Sequence, residues 1–146
     1  MSDCTFCQII QGKLEAAVVY EDDDHICIMD RRPINLGHTL VISKKHYATL
    51  SDIPSTEVGK LFILVAEMAK IVVHTVNAEG FNIGQNNGVA AHQIVSHVHV
   101  HIIPRYLKDT PEGRFPNRKN VEFGELKKLA SIIHEEAMRR LRHSPS

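Results

Sequence analysis

Apolar residues along the chain follow two periods. Over 96–105, S-H-V-H-V-H-I-I-P-R, polar and apolar positions alternate, the period of a β-strand whose alternate side chains share a face. His97, His99 and His101 thus fall in a row, spaced roughly 6.5–7 Å along the strand, with Val98, Val100 and Ile102 packing behind them. Pro104 is expected to end this strand or to leave it at an edge. Shorter β-type runs occupy 17–21, 25–29, 38–43 and 81–84, the first two joined by an acidic turn at 21–24. At Pro54, a residue suited to a helix start, the period changes to 3.6. Val58, Leu61, Phe62, Val65, Ala69, Val72 and Val76 mark one long helix, followed by Gly80. A second stripe, Phe123, Leu126, Leu129, Ile132, Ile133, Ala137 and Leu141, predicts a helix over 122–142. Arg139, Arg140 and Arg142 suit its C-terminal end, where cations oppose the dipole. Phe6, Ile9 and Ile10 give a short helix over 3–11 one apolar side, with Asp3 as cap and Gly12 as stop.

Strands outnumber helices and most strand connections are short. The expected class is α+β, an antiparallel sheet with helices packed on it. No repeat or linker divides the chain, so 1–146 is expected to be one domain, with the polar loop 106–120 and the last helix as an extension. A loop of that length suggests a mobile segment or a lid. The 146 residues carry a formal net charge of zero, so no global field draws nucleic acid or an anionic membrane. The apolar run 61–66 is too short to span a bilayer. Ten histidines are the compositional anomaly. The start is polar and acidic, without a secretory signal, and two of three cysteines form C-x-x-C. Metal or redox chemistry in a reducing, cytoplasmic setting is expected, not a disulfide framework. Cys27, inside a strand, is expected in the core, and His74, among valines, is expected to be structural.

Three imidazoles on one face suit either a histidine-rich metal site or nucleophilic attack on phosphorus through a covalent histidine intermediate. In the second chemistry the attacking nitrogen must be proton-free, so its ring partner must donate to a fixed acceptor. Flanking histidines then donate to phosphate oxygens as charge develops. His99, with a neighbour on each side, is the candidate nucleophile. Gln93 precedes the strand and is a candidate for the leaving-group side. Asp30 either caps a turn before Arg31-Arg32-Pro33 or accepts hydrogen bonds from a hydroxylated ligand. Asn86 and Gln93 either reach the site or satisfy loop backbone.

The motif H-V-H-V-H-I-I at 97–103 resembles the signature of the histidine triad (HIT) nucleotide hydrolases and transferases. C-T-F-C-Q-I-I at 4–10, C-I-M-D at 27–30, G-H-T-L-V-I-S-K-K-H at 37–46 and N-N-G at 86–88 resemble the same family in the same order. The resemblance implies a homodimer whose subunits each hold a sheet of about five antiparallel strands, and hydrolysis at the α-phosphate of a purine nucleotide. It implies His99 as nucleophile, His101 as phosphate contact and His38 as support from the third strand. Asp30 is implied for the ribose hydroxyls, Asn86 and Gln93 for phosphate and leaving group, and Phe6, Ile9 and Ile28 for the base. Two positions depart from the Hint-like branch: Ile94 stands where a serine commonly follows the glutamine, and His92 where glycine is common. Both bear on the leaving group.

Cys4 and Cys7 leave a redox pair and a metal site as alternatives, although no thioredoxin-like βαβ pattern surrounds them. Together with His46 and His97 they would close a tetrahedral structural zinc site, a pattern that bacterial-type members of the family resemble. That assignment would commit His97 to structure. Three function classes follow: a nucleotidyl hydrolase acting on phosphoramidates such as AMP-lysine or on dinucleoside polyphosphates, a nucleotide-binding adaptor with incidental catalysis, and, last in order, a purely structural zinc protein.

Overall fold

The structure, a computed structural model, describes residues 3–141; Arg142 therefore lies outside the described residues. In chain order the elements are α1 (Thr5–Ile10), β1 (Val18–Glu21), β2 (His25–Met29), β3 (Thr39–Ser43), α2 (Ser55–Val76), β4 (Gly80–Gly84), β5 (His99–Arg105) and α3 (Phe123–Leu141). All five strands join one antiparallel sheet in the order β1-β2-β3-β5-β4. The α+β architecture is thus the expected one.

The period-two alternation sorts the sheet into two faces. Val19, Cys27, Met29, Val41, Val100 and Ile102 meet α2 and α3 in the main core. The other face carries Ile26, Ile28, Leu40 and Ile42, packed against Phe6 of α1. β5 pairs with β3 so that His99 stands opposite Ile42 and His101 opposite Leu40. Register alone therefore places both imidazoles on the α1 face, since a one-residue slip would send them into the core.

Several expectations need adjustment. β5 begins at His99, so His97 stands in the extended approach to the strand, where the N–H of the next residue, Val98, donates to Tyr47 O at 2.8 Å. Pro104 does not end the strand. β3 pairs with β5 only as far as Ile102, leaving Pro104 where β5 has outrun that neighbour and no N–H is needed. Cys4, not Asp3, caps α1, its sulfur accepting the Cys7 N–H. In α2 the buried stripe runs through Leu64, Met68 and Ile71 as well as Leu61, Val65, Ala69 and Val72. Val58, Phe62 and Val76 lie at its margin. Ile132 of α3 is exposed, as is His74. No described helix is long and apolar enough to cross a membrane.

The loop 106–120 is fastened at both ends. The Arg105 guanidinium grips Asp109 with two N–H···O bonds of 2.8 and 2.9 Å. At the far end Lys119 N donates to Pro33 O at 2.8 Å, and Lys119 Nζ to Ile34 O at 2.6 Å. Buried Asn35 joins the two, donating to Pro104 O and to Asp109. Gly37 closes the 30–38 turn with φ of +99°, and a Cβ there would come within 3.0 Å of Val76 and 3.2 Å of Pro104. Only glycine fits that conformation and that gap, which fixes the entry of His38 into the sheet.

Candidate active site

On the α1 face of the sheet lies a groove of about 430 Å³, within the range of small-molecule sites. Phe6 and Ile9 from α1 and Ile28 and Leu40 from the sheet give it apolar walls; Asp30, Asn86, His99, His101 and Arg118 bring polar groups to it. The rings of His99 and His101 lie 5.1 Å apart, and Phe6 sets its edge against His99 with centroids 4.9 Å apart.

Fixed donors and acceptors determine where the ring protons sit. The Ile34 backbone N–H can only donate, and it meets His38 Nδ1 at 3.1 Å. His38 Nδ1 is therefore an acceptor and Nε2 carries the hydrogen in the neutral ring. That Nε2–H points to His101 Nδ1 at 2.9 Å, with Asp30 Oδ2 at 3.5 Å. His101 consequently bears its own hydrogen on Nε2. The carbonyl of His97 can only accept, and it lies 2.7 Å from His99 Nδ1. His99 thus keeps Nδ1–H and offers a lone pair at Nε2. No buried side-chain nitrogen or oxygen among the described residues lacks a partner, so the unengaged Nε2 atoms of His99 and His101 open on the groove. One presents a lone pair and the other an N–H.

Burial favours the neutral rings. It pushes His38 down to about 3, against the pull of Asp30. It pushes His101 down to about 4, helped by His99, and it lowers His99 as well, against the hydrogen bond to His97. Asp30, His38 and His101 also converge closely enough to suggest a cation site. His38 Nε2 carries a hydrogen, however, and has no lone pair for a metal.

A second cluster lies beside the groove. Cys4 Sγ, Cys7 Sγ, His46 Nδ1 and His97 Nδ1 fall within 4.8 Å of one another. The sulfur–nitrogen separations are 3.3 to 3.6 Å and the two Nδ1 atoms are 3.1 Å apart. Ligand edges of about 3.3–3.6 Å are what tetrahedral Zn–S and Zn–N bonds generate. His97 Nε2–H donates to Ser43 O at 2.6 Å, leaving the Nδ1 lone pair facing the thiols. The donor set fits a metal ion, and all three cysteines are free of disulfides.

Residues 11–108 match the HIT domain model. The chain belongs to the HIT family. This HIT chain is 41% identical over 108 residues to an adenylylsulfatase of Arabidopsis thaliana, a match covering 74% of the chain and 55% of that protein. It is 34% identical over 139 residues to an adenosine 5′-monophosphoramidase of Candida albicans, covering 92% and 91%. A hypothetical histidine triad nucleotide-binding protein of Sulfolobus tokodaii superposes with a TM-score of 0.86 at 35% identity, over 98% of this chain and 99% of that one. A zinc-bound histidine triad protein of Mycobacterium smegmatis does so with 0.83 at 29% identity, again over 98% and 99%.

Of the sequence candidates in this HIT chain, Phe6, Ile9, Ile28, Asp30, Asn86, His99 and His101 line the groove, and His38 stands directly behind His101. Gln93 does not reach it. Its Oε1 takes the Gly88 N–H at 2.6 Å, and its amide nitrogen donates to Ala48 O and Val95 O. The buried Gln93 amide thus fastens the 88–95 loop instead of waiting at the leaving group. Arg118 is a groove residue that sequence reasoning missed, as it missed Leu40 and the neighbouring Arg31 and Arg32. It donates to Asp30 Oδ2 at 3.1 Å and to Arg32 O at 2.7 Å. A lone arginine in a polar loop carries no periodic signal.

Proposed function

We propose that this HIT protein is a hydrolase acting at the α-phosphate of purine nucleotide conjugates, with nucleoside phosphoramidates or related mixed anhydrides as substrates and a nucleotidyl-histidine intermediate. The carrying observation is the pairing at the groove: a bare Nε2 on His99 beside an Nε2–H on His101. The His99 lone pair attacks phosphorus as the bond to the leaving group breaks; a leaving nitrogen departs with the bonding pair and takes a proton from solvent in the open groove, so that it leaves as the neutral amine. His101 donates to the phosphoryl oxygen where negative charge develops. Water then attacks the same phosphorus, releasing the nucleoside monophosphate and returning Nε2 of His99. His38 holds His101 in the required tautomer, the apolar wall of Phe6, Ile9 and Ile28 receives the base, and Asp30 receives the ribose hydroxyls. Asn86 lies at the groove for the phosphate, and Gln93 positions the loop that carries Ile94. The relatives named for adenylylsulfate and adenosine phosphoramidate support this substrate class.

Cys4, Cys7, His46 and His97 are assigned to zinc, which would tie α1 to the sheet as a closed structural centre. The zinc-bound relative supports that choice. A homodimer formed through β4 and a reducing, cytoplasmic setting that keeps the thiols free complete the reading.

Intact-mass spectrometry of protein mixed with an adenosine 5′-phosphoramidate and quenched without acid tests it. One nucleotidyl adduct mapping to His99 is expected. His99→Ala is expected to lose the adduct and at least ~10³-fold in turnover while keeping nucleotide affinity. An adduct elsewhere, or turnover that survives in the variant, refutes the covalent route. Retained binding with no adduct in the wild type marks a binding protein instead.

A further inference from the structure

The loop 106–120 belongs to no motif, yet it sends one side chain back to the groove. We propose that Arg118 is a positioning and specificity residue for the ribose, making recognition of the sugar depend on this loop. The inference rests on the nucleotide reading above and adds a residue to it.

Asp30 lies at the end of β2 with its side chain only 12% exposed. Its Oδ1 accepts the Arg32 N–H at 2.9 Å, which fixes one side of the carboxylate. Its Oδ2 sits between the His38 ring at 3.5 Å and Arg118 Nη1 at 3.1 Å. The same Nη1 donates to Arg32 O at 2.7 Å, so both of its hydrogens are engaged. The guanidinium is thus held by two acceptors, and it is placed there by the Lys119 contacts to Pro33 and Ile34 one residue along. No hydrogen bond of Arg118 beyond these two is seen among the described residues, and the residue lines the groove, so its Nη2 and Nε hydrogens are free to meet a ligand there.

A vicinal diol needs both kinds of partner. Each hydroxyl donates one hydrogen and accepts through its oxygen. Asp30 supplies only acceptors and Arg118 only donors, side by side. Each carboxylate oxygen retains capacity for a further hydrogen bond beside the one it already accepts, so Arg118 and the diol bind Asp30 together and do not compete for it. The Nη1 group also bridges Asp30 Oδ2 to Arg32 O, a charge-assisted contact that restrains the carboxylate beside the groove. A site built to satisfy hydroxyls rejects a ligand that lacks them, since its polar groups are then left unpaired.

The test compares an adenosine 5′-phosphoramidate with its 2′,3′-dideoxy counterpart in wild type, Arg118→Ala and Arg118→Lys. Arg118→Ala is expected to raise KM for the ribose substrate about tenfold, to leave kcat within about twofold, and to leave the dideoxy substrate unchanged. The ribose-to-dideoxy preference therefore falls by the same factor, and Arg118→Lys recovers part of it. Equal losses on both sugars would mean that the side chain only packs the loop, and overturn the proposal. So would no change on either, or a lower KM for the ribose substrate, which would make Arg118 a plug. If wild type turns over neither substrate, the nucleotide reading fails and takes this one with it, a result distinct from a changed preference.

Discussion

At the scale of single residues, the chemistry turns on atoms that cannot change role. The Ile34 N–H and the His97 carbonyl are backbone groups, and between them they dictate which nitrogen of His38, His101 and His99 bears a proton. Keeping these rings neutral has a cost that shows in the pH dependence of stability. His38 and His101 titrate near 6.5 when unfolded but are pushed down to about 3 and about 4 by burial. Below 6.5 the unfolded chain therefore binds protons that the folded one refuses, and stability must fall as pH falls. Above 6.5 neither state is protonated and the contribution is flat. Each ring accounts for up to ~1.4 kcal/mol per pH unit, both of them between 6.5 and about 4 and His38 alone below that. Urea unfolding between pH 7 and pH 4 measures the slope, and His101→Asn is expected to remove one proton from it. An unchanged slope in that variant would show that His101 is protonated in the folded state. Nothing in the sequence could announce the Ile34 contact, since a backbone donor has no residue signature.

At the scale of elements, α1 is the weak member. Six residues are far too few to hold a helix alone, yet α1 supplies Phe6 and Ile9 to the groove wall. A metal at Cys4, Cys7, His46 and His97 would anchor α1 to the segment after β3 and to the approach of β5. Chelation, or Cys7→Ser, is expected to lower Tm by about 10 °C, since ~3 kcal/mol shifts a domain of this size by roughly 2–4 °C per kcal/mol. Adding zinc should restore the chelated protein and leave the variant low. Elemental analysis with no metal and a Tm indifferent to chelation would remove the metal from the account. The strands and the two long helices were legible because their periodicity records which face is buried. His97 was misplaced within the strand because alternation continues through any extended segment, paired or not. The two readings of Gln93 could not be separated beforehand, because an amide looks the same in sequence whether it faces a ligand or a loop carbonyl; in the structure it holds loop backbone. Arg118 was invisible because only the Lys119 and Asn35 staple brings it to Asp30.

At the scale of the molecule, one edge of the sheet is unfinished. β4 is the last strand in the sheet order, and Phe81, Asn82 and Ile83 are all exposed along it. Phe81 is 47% exposed and Ile83 40%. Edge strands are ordinarily blunted by charge, proline or a bulge, because a bare edge pairs with another chain. β4 has none of these: its sequence is G-F-N-I-G and its ladder with β5 runs without a break. The opposite edge differs, since β1 carries a bulge between Val18 and Tyr20 and is packed by α3. An isologous pairing of β4 with its copy would extend the sheet to both subunits and cover the apolar side chains at once. Sedimentation equilibrium is therefore expected to give twice the chain mass. Ile83→Asp should shift that mass toward the monomer, because it would put a charge from each copy into the apolar strip that the pairing covers. Circular dichroism of the variant should still report a folded chain, since Ile83 is not part of the core. A wild type that sediments as a monomer would exclude the β4 interface, and a variant that stays dimeric would move the contact to another face.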